Sequence, residues 1–229
     1  MKSETSNKNK AKSSLDPTTR LLLQCGAIAG PLYIVLGIIQ ILIRPGFDPT
    51  RHDLSLMSNG DLGWIQITNF IVTGLLTIAG AVGMRRALQS GRGRIWGPLL
   101  IGLYGLGLIG AGIFVADPIN GFPPGTSTGT PVITSNGILH LVTGALGFLG
   151  LIAACFVFAR RFRSLNESGW VNFSIATGVI FFAAFFGIAM GSQQGGAILT
   201  FVTLAFTVAV ILGWSWISLL SIKLMKGYS

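Results

Sequence analysis

Six long apolar runs alternate with short polar stretches along this chain. They cover residues 21–43, 64–84, 95–116, 137–159, 171–190 and 197–220, and none contains Asp, Glu, Lys or Arg. At a helical rise of 1.5 Å per residue, runs of about 20–24 residues reach about 30–36 Å, enough to cross a hydrocarbon core. The runs are continuous rather than alternating, which excludes a β-barrel. The pattern predicts an all-α polytopic membrane protein, a bundle of six transmembrane helices.

Lys and Arg set the expected orientation. Fourteen of the sixteen lie in the N-terminal segment, the links between spans two and three and between spans four and five, and the C-terminal segment. Only Arg44 and Arg51 lie on the other side. By the positive-inside rule both termini are expected in the cytoplasm. Residues 1–19 are polar and read as a disordered cytoplasmic tail. Residues 20–222 form the six-span domain, and 223–229 a short cytoplasmic tail. The first apolar run is too long for a signal peptide.

Composition agrees: 51% of residues are hydrophobic and 10% charged, with mean hydropathy +0.69. A soluble domain carries about 25% charge. The net charge of +9 is accounted for by topology and by attraction to anionic lipid, so membrane lipids are expected partners and nucleic acid is not. Cys25 and Cys155 fall at similar membrane depth and read as buried thiols.

Some motifs mislead. Gly105, Gly107 and Gly110 match G-x-G-x-x-G, but no strand precedes them and they lie inside span three. They read as helix-contact glycines, not a dinucleotide site. Gly26/Gly30 and Gly187/Gly191 read as contacts within the bundle or between protomers of a homo-oligomer. Asn166-Glu167-Ser168 falls on the cytoplasmic side and is no glycosylation site. Gln40, Gln66 and Asn69 are expected to hydrogen-bond between helices.

The chemistry gathers on the face expected outside. Both histidines are there, His52 in the first long loop and His140 one turn into span four, with Asp48, Asp53, Asp61 and Asp117. An imidazole within a span needs a partner. It could bond a loop carboxylate or carbonyl, or work with His52 and an aspartate as a metal or acid–base site. Asp117 is the acid expected to meet His140, with His52 or Arg51 closing over the pair. Ser55 is a candidate nucleophile if a histidine reaches it, and otherwise a cap or turn residue. The ligand-binding candidates are therefore Arg51, His52, Ser55, Asp117 and His140. His52, Asp117 and His140 are the weak metal candidates.

Several strings together resemble a known family. They are Arg51-His52-x-x-Ser55, Gly60-x-x-Gly63-Trp64-Ile65-Gln66 and Asp117-Pro118-x-x-Gly121-Phe122-Pro123-Pro124-Gly125, then Gly137-x-Leu139-His140 and Ala159-Arg160-Arg161-Phe162. The chain resembles the bacterial membrane proteins grouped as domain of unknown function 998, over residues 21–220. The resemblance implies a six-span protein of a bacterial cell (inner) membrane and supplies no catalytic residues. Arg51, His52, Ser55, Asp117 and His140 match its pattern.

Three functions fit these features. The first is a non-enzymatic protein with an outward-facing polar pocket for a lipid headgroup or small ligand, without a cofactor. The second is a membrane-embedded, metal-assisted hydrolase, although no H-E-x-x-H occurs. The third is a secondary transporter, although no charge lies at mid-membrane and no three-plus-three repeat is evident.

Overall fold

The computed structural model describes residues 15–128, 132–192 and 194–227. They form six helices: α1 (Pro17–Ile43), α2 (Gly63–Ala87), α3 (Trp96–Ile113), α4 (Ser135–Arg163), α5 (Ser168–Gly191) and α6 (Gly196–Met225). All six are long and apolar enough to cross a membrane. The protein is an all-α six-helix membrane bundle. Each helix packs against its neighbours in sequence, and α6 returns to pack against α1, closing a ring. The start of α1 and the end of α6 lie at one end, called here the terminal end. The described residues of the two long loops, 44–62 and 114–134, lie at the other, the loop end.

Helix boundaries follow local chemistry. The α1 helix starts at Pro17 because Asp16 accepts hydrogen bonds from the Thr19 backbone N–H (2.9 Å) and hydroxyl (2.6 Å). Such a cap satisfies an otherwise orphaned donor. Residues 17–19, expected in the tail, are therefore helical, while residues 1–14 lie outside the described residues. The α2, α4 and α6 helices run past their apolar stretches and carry Arg85, Arg86, Arg160, Arg161, Arg163 and Lys223 in their last turns. Cations there complement the helix dipole.

Glycines let the helices meet. A Cβ on Gly80 would lie 2.6 Å from the Gly26 Cα, and one on Gly107 would lie 2.7 Å from the Gly147 Cα. A Cβ on Gly30 would fall 2.5 Å from the Ser218 hydroxyl, and one on Gly191 would fall 2.9 Å from a Val202 methyl. The small-residue faces of α1 and α5 thus pack inside one protomer. Close approach of this kind replaces the hydrophobic effect, which lipid does not supply between helices.

Polar links reinforce the ring. The Gln40 amide donates to the Gln66 amide oxygen (2.7 Å), and Asn69 donates to the Tyr33 carbonyl (3.3 Å), so all three amides join α1 to α2 as expected. Trp216 donates to the Ser174 hydroxyl (3.0 Å) between α6 and α5. Arg161 is buried and donates to the carbonyls of Ser90 (2.9 Å) and Arg92 (3.0 Å), pinning the α2–α3 link. Lys223 pairs with Glu167 at 2.6 Å. Cys155 is buried, Cys25 is half-buried, and both are free thiols.

Candidate functional site

The two long loops fold together into a cap with its own small core of Phe47, Leu56, Met57, Ala116 and Phe122. Asn59 donates to the Ala116 carbonyl (3.0 Å), joining one loop to the other. Arg44, which ends α1, turns back and donates to the Asn59 carbonyl, with its guanidinium 5.4 Å from the centre of the Phe122 ring. Burial lowers its pKa from the ordinary value, and Asp61 opposes that shift. Asp48 accepts from the Thr50 hydroxyl (2.7 Å) and backbone N–H (2.9 Å), which together hold its carboxyl below the usual range.

His52 belongs to this cap. It is only 4% exposed and lies against Phe47 and Phe122. Its Nδ1 accepts from the Asp48 backbone N–H (2.9 Å), and its Nε2 lies 3.1 Å from the Asn120 carbonyl oxygen. A carbonyl can only accept, so Nε2 carries the hydrogen and both ring nitrogens are engaged. The Arg51 side chain is exposed, while its carbonyl accepts from Asn120 (3.4 Å). Neither residue borders the cavity below, so the expected closure of His52 or Arg51 over His140 does not occur. Residues 53–56 close that end instead.

Ser55 sits in a 3-10 turn, Leu54–Ser58, which Asp53 caps. Its hydroxyl donates to Asp53 (2.5 Å), and its backbone N–H donates to the same oxygen (3.0 Å). No histidine contacts it among the described hydrogen bonds, so Ser55 is a cap residue and not an activated nucleophile.

Asp117 anchors the start of α4. It accepts from the Thr134 backbone N–H (2.8 Å) and hydroxyl (2.6 Å), and Thr134 caps the helix by accepting from Gly137 N–H (3.1 Å). The carboxylate rests on Gly137: a Cβ there would lie 1.9 Å from Asp117 Oδ2. His140 does not hydrogen-bond Asp117. Its Nδ1 lies 2.8 Å from the Phe114 carbonyl oxygen and 3.2 Å from that of Ala111. These carbonyls end α3, where the last turn leaves acceptors without helical partners. The Nδ1 hydrogen takes them, and this is why the expected carboxylate partner loses. His52 lies in the cap, apart from the cavity that Asp117 and His140 both border without bonding each other. Among the described residues no group of three His, Cys, Asp or Glu side chains could hold a metal ion.

Beneath the cap lies a cavity of about 430 Å³ lined by the ring of helices, within the usual ligand-site range of about 300–1,000 Å³. Its deep walls are apolar and aromatic, including Tyr33, Phe70, Tyr104, Phe148, Phe206 and Val210. Asp53, Ser55, Asp117, His140 and Ser192 border its loop end. The cavity is therefore mainly apolar with a polar mouth, and not the polar pocket expected from the loops. The α4 and α5 helices touch from Phe162 against Trp170 up to Phe148 against Phe185. Beyond that level, Leu141, Gly144 and Ala145 face the cavity from α4, and Ile188, Ala189 and Ser192 face it from α5. A Cβ on Gly144 would meet nothing within 4 Å.

Sequence reasoning found Asp117, His140 and Ser55 at this mouth but missed the aromatic walls. Those residues looked like ordinary core.

Fold and site together define a six-helix membrane bundle with an amphipathic cavity under a two-loop cap. A family model described as protein of unknown function (DUF998) matches residues 27–223, and the chain belongs to that family. No curated protein matches it, and no solved structure does.

Proposed function

We propose that this protein binds a single amphipathic molecule, a membrane lipid or a lipid-like ligand, in the cavity within its helix ring. The observation that carries this reading is the make-up of that cavity: its deep walls are mostly apolar and aromatic, interrupted by the Tyr33 and Tyr104 phenols and Thr207, while its two carboxylates and its histidine lie at the loop end. An alkyl tail fits the walls and a head group fits the mouth. The cavity is lined by the loop-end halves of both α4 and α5, and the ligand would enter sideways from the bilayer between them. Asp117 and Thr134, by fixing the start of α4, hold one side of that route open.

The 14-to-2 distribution of Lys and Arg supports a cell-membrane orientation with both termini in the cytoplasm and the cap outside. The mouth then faces the outer leaflet. Binding is favoured over hydrolysis because Ser55 has its hydroxyl committed to Asp53 and no histidine beside it.

Native mass spectrometry of the detergent-purified protein tests the reading. The wild-type chain should retain an amphiphile of fixed stoichiometry. Gly144→Trp, which fills the open space beside α4, should lose it while unfolding at nearly the wild-type temperature. Equal retention by both proteins would refute the proposal.

A further inference from the structure

In a bilayer the cavity's apolar walls give little selectivity. A tail leaving lipid for an aromatic-lined cavity exchanges one apolar surroundings for another. Preference among ligands must come from the mouth. What the mouth presents follows from the hydrogen bonds already made there.

His140 is 7% exposed. Its Nδ1 faces only carbonyl oxygens, so in the neutral ring Nδ1 carries the hydrogen and Nε2 a lone pair. Nε2 has no partner among the described residues, and His140 borders the cavity. Ser55 has its hydroxyl hydrogen on Asp53 and turns a lone pair outward. Asp53 and Asp117 are acceptors, each holding more lone pairs than its two donors use. Among the described residues, Ser192 is the one side chain at the mouth able also to donate, and neither Lys nor Arg borders the cavity.

From this we infer that the ligand carries a hydrogen-bond-donating head without net negative charge, either an ammonium or a set of hydroxyls, and that His140 Nε2 accepts one of its hydrogens. The inference rests on the cavity reading above and names the chemistry of its ligand. An anionic head would meet acceptors and two carboxylates, whose like charges repel it.

Dodecylamine, dodecyl glucoside and dodecyl phosphate share a tail and differ in head. Each is titrated into the full chain in phosphatidylcholine nanodiscs, with the unfolding temperature as readout. The amine and the glucoside should raise it by several degrees, and the phosphate should bind at least about tenfold more weakly. A response to the amine alone assigns an ammonium head, and one to the glucoside alone assigns hydroxyls. Phosphate binding as tight as either would overturn the inference while leaving the cavity reading intact. No shift with any probe, or shifts unchanged in Gly144→Trp, would overturn the cavity reading itself.

His140→Asn isolates the ring nitrogen. The Asn amide can donate where Nδ1 did, but nothing replaces Nε2. Donor-headed probes should bind about tenfold more weakly, with the ligand-free unfolding temperature near wild type. Undiminished affinity would remove His140 from the site. If that variant does not fold, Asp53→Asn, whose amide oxygen still accepts from Ser55, should narrow the gap between amine and phosphate. An unchanged gap would count against the inference.

Discussion

His52 and His140 turn opposite ring nitrogens to backbone carbonyls. His52 donates from Nε2 to the Asn120 carbonyl and accepts at Nδ1 from the Asp48 N–H, so its ring is saturated. His140 donates from Nδ1 to the last carbonyls of α3 and leaves Nε2 facing the cavity. One histidine belongs to the cap, and the other borders the cavity beneath it.

Replacing His52 should therefore act on stability. His52→Ala strands the Asp48 N–H and the Asn120 carbonyl within the cap, at a cost of about 1–3 kcal/mol for a buried group left unpaired. Thermal unfolding in detergent should show the loss. An unchanged unfolding temperature would mean that the cap does not depend on this ring.

Gly137 and Asp117 should be coupled. A methyl at Gly137 would collide with the Asp117 carboxylate, so Gly137→Ala should destabilise the protein by displacing it. Once Asp117→Ala has removed the carboxylate, Gly137→Ala should cost little. Unfolding free energies of the two single variants and the double variant measure this directly. Additive costs would show that the contact is not sterically tight.

Arg161→Met keeps an apolar stem but leaves the carbonyls of Ser90 and Arg92 without its two hydrogen bonds. The α2–α3 link should loosen. Limited proteolysis should cut between residues 88 and 95 several times faster than in wild type, and equal rates would place the restraint elsewhere.

Acid should weaken the cap at Asp48. Its hydrogen bonds with Thr50 lower its pKa in the folded protein. The resulting stabilisation is complete above the unfolded value of about 3.9 and is lost as pH falls through the folded value. The wild-type advantage over Asp48→Asn in unfolding temperature should shrink across that window. A constant difference would show that the carboxylate charge does not contribute.

Orientation is tested by labelling. On a background lacking Cys25 and Cys155, Thr126→Cys should react with an impermeant maleimide added outside intact cells, and Gln89→Cys should not. The opposite pattern would invert the topology.

The six helices were legible because charge is absent from each apolar run, a property that needs no knowledge of packing. Gln40, Gln66 and Asn69 were legible too, since an amide in a span must find a partner. The partner of His140 was not. Asp117 looked right as the nearest acid when span three was drawn through Ala116. The helix stops at Ile113, and the carbonyls freed by that stop lie closer to the ring. Which groups a helix end leaves unsatisfied depends on where it ends, and hydropathy places ends only to within a few residues. The cavity was hidden for a related reason. Tyr104 and Phe148 carry no mark separating a wall from a core, because that distinction depends on what stands opposite them.

Closure of the ring has a consequence for biogenesis. Gly30 of α1 receives Trp214 and Ser218 of α6, and Gly26 meets Ser221 of α6 as well as Gly80 of α2, so α1, made before α6, must wait for it. Until then the Gly30 side of α1 stays open to lipid or to chaperones, and the cavity lined by both Tyr33 and Val210 does not yet exist. Synthesis arrested before α6 would leave that cavity without one wall, so it would form in a single late step and not grow helix by helix.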